Sequence, residues 1–95
     1  MSDCTPKAER AAIVQGLLAS WGRYLRMTRE ARGLNQADVA ALANIDQTAV
    51  SRAEQGKGRL FVALVMMARA LDVSIPELAA GAAKLDAEEN GEEAA

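Results

Sequence analysis

The chain of 95 residues has no histidine, a single cysteine, two prolines and only three aromatic residues, Trp21, Tyr24 and Phe61. Each scarcity excludes something. Histidine is the commonest acid–base group and metal ligand, and the sequence also lacks a Gly-rich phosphate loop and any metal-spaced cluster of ligands. The chain therefore reads as a non-enzyme, with no cofactor, no metal and no small-molecule ligand expected. Cys4 has no partner for an internal disulfide; in its polar stretch it reads as an incidental free thiol, with a redox switch or intermolecular bridge as the other option. No run of eighteen apolar residues exists to span a bilayer, and Met1 to Arg10 lacks the basic-then-apolar order of a signal peptide. A cytoplasmic protein that leaves membranes alone is expected.

What is present is alanine. Apolar residues form 51% of the chain with only 3% aromatic, and an alanine-rich remainder favours helices over sheets. The length suffices for one domain with a modest core, to which a second copy would add stability. The net charge is −2, but it averages unlike regions. Residues 21–60 hold seven basic residues against four acids, a net +3, whereas residues 70–95 hold seven acids against Lys84 alone, a net −6. Positive charge is thus concentrated mid-chain and acid at the end.

Residues 1–5 carry no periodic pattern. From Pro6, a favoured first-turn residue, Ile13, Val14, Leu17, Leu18, Trp21 and Leu25 recur at threes and fours. Gly16 and Gly22 weaken this pattern, so one long helix or two are compatible with it; Gly33 ends it. Asn35 through Asp38 has the N-cap and third-position acid of a helix start, with Val39, Ala40 and Ala43 inward. Asn44 tolerates a left-handed backbone, Ile45 plugs the turn, and Asp46 is expected to cap a helix from Gln47 to Gln55 that buries Val50 and Ala53 and stops at Gly56. Leu60 to Leu71 is a strongly apolar helix. Ser74 to Glu77 is a capping box opening a last helix around Leu78. Beyond Lys84 the acidic run lacks an apolar anchor and reads as disordered.

Two short helices joined by a three-residue turn form helix-turn-helix geometry. The stretch Arg32-Gly33-Leu34-Asn35-Gln36-Ala37-Asp38-Val39-Ala40, followed by Val50 through Lys57 and then Ala68 through Ser74, resembles the phage repressor/Cro, or XRE-type, helix-turn-helix DNA-binding family over about residues 21–80. The resemblance implies an all-α, five-helix, lambda-repressor-like DNA-binding domain. Residues 1–20 then form a partly helical N-terminal extension, 21–84 the DNA-binding domain with its motif at 36–55, and 85–95 an acidic disordered tail.

The resemblance also implies roles. Gln36, with Asn35 beside it, sits where amide groups at a helix start can hold a phosphate. Gln47, Thr48, Ala49 and Arg52 lie on the outward face of the second motif helix, whose N-terminal end enters the major groove. Glutamine can pair with adenine, arginine with guanine, and Thr48 and Ala49 can meet a thymine methyl. Arg52 suits base or phosphate equally; Gln55, Lys57 and Arg59 suit phosphates. The bland reading of all these residues is solvated surface. Glu54 is acidic on a DNA-facing element, and the family pairs this position with an arginine of the first helix, here Arg29, as a structural ion pair.

The chain departs from the family on its fourth helix. Phe61, Leu64, Met67, Ala68 and Leu71 are expected inward, which leaves Val62, Val65 and Met66 as a second apolar face. The simplest cover is another copy in a two-fold dimer; packing beneath Ile13 and Leu17 is the alternative. Thr28 and Ala53 are small where bulk is usual, so Trp21 or Tyr24 is expected to fill the gap. The functional expectation is a homodimeric, sequence-specific regulator of transcription, a repressor of phage, plasmid, restriction–modification or antitoxin type. Its partners are double-stranded DNA and, in the antitoxin case, a toxin. The competing class is a protein-interaction module in which DNA binding is secondary or lost.

Overall fold

The computed structural model describes residues 7–57 and 60–89, and among these every regular element is helical. The order is α1 (Lys7–Ala31), α2 (Gln36–Ala43), α3 (Gln47–Glu54), α4 (Leu60–Ala70) and α5 (Ile75–Glu89). Cys4, Pro6, Arg59 and residues 90–95 lie outside the described residues, and with them the expectations placed there.

Helices α1 to α4 all end by the same device. Gly33, Asn44, Gly56 and Asp72 each adopt a left-handed backbone, with φ of 72°, 57°, 77° and 58°. At each, the next residue's amide reaches back five positions to a carbonyl: Leu34 to Arg29, Ile45 to Ala40, Lys57 to Arg52 and Val73 to Ala68, at 2.7 to 3.1 Å. This is the Schellman closure, which satisfies carbonyls that a helix end leaves bare. Three of the four following residues are apolar and turn inward: Val73 is buried, while Leu34 and Ile45 are half-buried against the core. The stop signal thus also fixes the direction in which the chain leaves. Asp72 is the one that composition hides, because aspartate is a less usual choice there than glycine or asparagine.

The core collects Leu25 from α1, Val39 and Ala40 from α2, Val50 and Ala53 from α3, Leu64, Met67, Ala68 and Leu71 from α4, and Leu78 from α5. Helix α1 is a single 25-residue rod that packs against α3, α4 and α5. Its two weak points are unlike. A methyl group on Gly22 would lie 2.1 Å from the Ala53 carbonyl oxygen, so α1 and α3 touch backbone to backbone there. The small size of Ala53 belongs to that close crossing, and Trp21 and Tyr24 pack beside it against the core. Gly81 does the same for α5, where a methyl would strike the Tyr24 ring at 2.3 Å. Thr28 sends its hydroxyl to the Tyr24 carbonyl at 3.0 Å, a local bond that removes a polar group from the packing problem.

Several expectations are corrected. Phe61 is not part of the inward stripe; it is 58% exposed, and Ala63 takes the buried position instead. Asp46 occupies the N-cap of α3 with extended backbone, but its side chain makes no capping bond. Of the two arrangements that the spacing left open before Gly33, the single helix is the one present, since α1 is continuous across residue 20. Helix α5 continues past Lys84 to Glu89, carried by α1 packing along it through Ala82 and by an Arg23–Asp86 ion pair at 3.5 Å. The acidic run therefore begins inside a helix. Ile13, Val14 and Leu17 are 60%, 53% and 54% exposed, so they do not cover α4.

Candidate nucleic-acid interface

The α2–α3 unit is built by caps and one buried ion pair. Asn35 accepts the Asp38 amide at 2.8 Å, and the Asp38 carboxylate accepts the Asn35 amide at 2.9 Å, a reciprocal box that fixes where α2 starts. Asn44 then turns the chain so that α3 runs across α2, with Val39, Ala40 and Ala43 facing Val50 and Ala53.

Beneath the turn, Glu54 is almost fully enclosed. It accepts from Arg29 Nε at 2.7 Å and Nη2 at 3.1 Å, a fork-on-fork pair between α1 and α3. Arg29 Nη1 donates to the Leu34 carbonyl at 2.9 Å, so one guanidinium holds the helix end, the loop and the far helix. The hydrogen bond to Glu54 raises the Arg29 pKa above its ordinary value, against burial that works to lower it. Gln36 joins this network by donating its Nε2 to Glu54 Oε1 at 3.0 Å. Sequence reading missed that bond, because eighteen residues separate the two side chains and no local pattern links them.

The opposite side of α3 is open. Gln47, Thr48, Arg52 and Gln55 are exposed, Ala49 is half-buried, and Lys57 follows in the loop, also exposed. Successive outward positions Gln47, Thr48, Ser51, Arg52 and Gln55 fall at threes and fours and so share one face. Gln55 donates to the Ser51 hydroxyl at 3.2 Å along that face. Because Asp46 does not cap α3, the positive end of this helix is left without a side chain of its own over it. Asn35 is exposed but its side chain is committed to the capping box, and Gln36 is half-buried.

The mid-chain positive charge is largely spent inside the domain. Arg23 pairs with Asp86, Arg26 with Glu30 at 3.2 Å and Arg29 with Glu54, while Arg32 donates to the Leu71 carbonyl. Among the described residues, Arg52 and Lys57 are exposed cations of this region with neither an ion pair nor a hydrogen bond to a distant carbonyl, whereas Arg32, also exposed and without an ion pair, is tied to Leu71. Arg52 and Lys57 belong to the open face of α3 and its exit, which places the available positive charge on the surface that carries the polar outward row.

Val62 on α4 is 62% exposed beside Phe61, whereas Val65 and Met66 are already half-buried within the chain. Among the described residues no group of acidic or cysteine side chains is placed to hold a metal ion, and no helix is long and apolar enough to cross a membrane.

A family model described as a helix-turn-helix domain matches residues 21–81, nearly two thirds of the chain, and spans α2, α3 and α4 entirely. Comparison with curated proteins and with solved structures finds no match.

Proposed function

The chain belongs to the helix-turn-helix domain family, and we propose that it is a sequence-specific DNA-binding regulator of transcription, a homodimeric repressor at a palindromic operator. The observation that carries this reading is the division of α3 into two faces. One face is locked to the domain through Val50, Ala53 and the buried Glu54, while the other presents Gln47, Thr48 and Arg52 to solvent, with none of the described residues covering them.

Gln47 and Thr48, at the N-terminal end of α3, read base edges; a good bidentate pair discriminates by about 1–3 kcal/mol. Arg52, Gln55 and Lys57 lie farther along and hold the backbone, a role the sequence also assigns to Arg59. Gln36 acts from the start of α2, its side-chain amide anchored on Glu54 and its backbone directed at a phosphate. Two copies on one duplex place half-sites about one helical turn apart.

Selection of bound duplexes from a random pool tests this reading directly. Enriched, symmetric sites are expected, with affinity that falls steeply as salt rises. Gln47→Ala then relaxes preference at one operator position, whereas Lys57→Ala weakens all sequences alike and lowers the salt slope by about 1. Absence of any duplex binding across the pool refutes the proposal and favours the interaction-module reading, for which the exposed Phe61 and Val62 are the supporting observation.

A further inference from the structure

Three contacts join α1 to the far end of α3 and its exit, and they lie on one side of the rod. Gly22 meets the Ala53 backbone, and Gly56 sits directly on Ala19, where an added methyl group would lie 2.8 Å from the Ala19 methyl. One turn earlier, Gln15 donates its Nε2 to the Gly56 carbonyl oxygen. Positions 15, 19 and 22 are spaced at four and three, so they stack along one helix face. A carbonyl oxygen can only accept, so the nitrogen of the Gln15 amide is what must face it. The family model begins at residue 21, so Gly22 falls within its match while Ala19 and Gln15 precede it. Residues 9–17 are all exposed, and Gln15 nevertheless reaches across 41 positions to one backbone atom.

The unit held in this way is the peptide between Gly56 and Lys57. Its carbonyl accepts from Gln15, and its N–H donates to the Arg52 carbonyl at 2.7 Å. A peptide unit is planar, so bonds at both of its polar ends fix its orientation, and with it the Cα of Lys57. Without Gln15 the unit is held at one end only. It also follows a glycine in the left-handed region, φ 77°, the residue type with the most backbone freedom. Lys57 itself is exposed and, among the described residues, has no ion pair. The chain thus places an unengaged cation on a backbone segment clamped from outside the matched domain.

We infer that Gln15 is a positioning residue for DNA binding: its grip on the Gly56 carbonyl holds Lys57 at the exit of α3 where a phosphate of the duplex meets it. The inference rests on the DNA-binding reading above and gives the first half of α1 a part in it. Gln15 touches no nucleotide; it acts through the loop backbone. A loop that visits its binding position only part of the time weakens affinity by that fraction, so a tie that keeps the loop in place strengthens every complex that uses Lys57. Because the contact is to a phosphate, the gain is the same for all sequences. The stiffness needed comes from α1 itself, a continuous helix whose later turns are anchored through the buried Leu25 and the Gly22–Ala53 crossing.

A double-variant cycle on the full chain tests this, read by duplex affinity, melting temperature and amide hydrogen exchange. Gln15→Met keeps the length and helix propensity of the side chain and removes the donor. It should weaken binding to every duplex about two- to tenfold, the worth of one ordinary intramolecular hydrogen bond, with sequence preference unchanged. The melting temperature should move little, while the Lys57 amide exchanges faster. In a Lys57→Ala background the same substitution should cost nothing further, because no ammonium is left to position. A merely structural role would instead lower the melting temperature and weaken binding equally in both backgrounds. The inference is overturned by an affinity that Gln15→Met leaves unchanged, by an equal loss with and without Lys57, or by unchanged exchange at Lys57. If the unmodified chain binds no duplex while Gln15→Met still speeds exchange at Lys57, the tie stands as architecture, and the DNA-binding proposal falls together with the positioning role.

Discussion

Replacing Glu54 by alanine probes the contact on which the placement of α3 depends. The carboxylate is 3% exposed and accepts three hydrogen bonds, two from Arg29 and one from Gln36. Removing it leaves the Arg29 guanidinium 9% exposed, with only the Leu34 carbonyl and a more distant Glu30 carboxylate at 3.7 Å. An exposed pair would contribute about 0–1 kcal/mol. A buried pair broken from one side costs about 3–5 kcal/mol, because the surviving charge is stranded out of water. The lower end applies here, since Arg29 retains two acceptors. A loss of about 3 kcal/mol in a domain of this size lowers the melting temperature by roughly 12–24 °C. Deleting both charges tells more than deleting one. Arg29→Met with Glu54→Met should return to within about 1–2 kcal/mol of the parent, because no charge is left stranded. Urea denaturation followed by far-ultraviolet circular dichroism, at one fixed protein concentration, reads all three chains. A single-variant loss below about 1 kcal/mol, or a double variant no better than the single one, would refute the reasoning.

Gly22→Ala should destabilise by about 1–3 kcal/mol despite the better helix propensity of alanine, because the new methyl meets backbone at Ala53 and cannot be accommodated by a side-chain rotation; denaturant midpoints would show it, and an unchanged midpoint would mean that α1 and α3 do not cross so closely. Asp72→Gly should raise stability by about 0.5–1 kcal/mol by relieving a left-handed backbone at φ 58°. A differential scanning measurement that found no gain would show that aspartate is at ease there.

The local chemistry was legible because it acts over a few residues. Asn35 with Asp38, Asn44, Gly33 and Gly56 mark starts and stops through backbone bonds that span at most five positions, and each appears where its residue type suggests. The inward faces of α2 and α3 followed from spacing alone. Phe61 misled because a helix apolar on most of its circumference does not announce which side faces inward; neighbouring helices make that choice, and they buried Ala63. Asp46 misled for a related reason. Its position at the N-cap is set by chain geometry, but whether the carboxylate turns back onto the amides depends on its rotamer.

By itself the sequence determined the helical class, the α2–turn–α3 unit and the outward row from Gln47 to Gln55, since these rest on periodicity and capping within one stretch of chain. Only the tertiary structure decided the roles of Gly22 and Gly81, the tie from Gln36 to Glu54, the long-range ion pairs of Arg23 and Arg29, and the exposure of Ile13, Val14 and Leu17. Those depend on which atoms meet across tens of residues, and such meetings are fixed by packing the whole chain at once rather than by any segment of it.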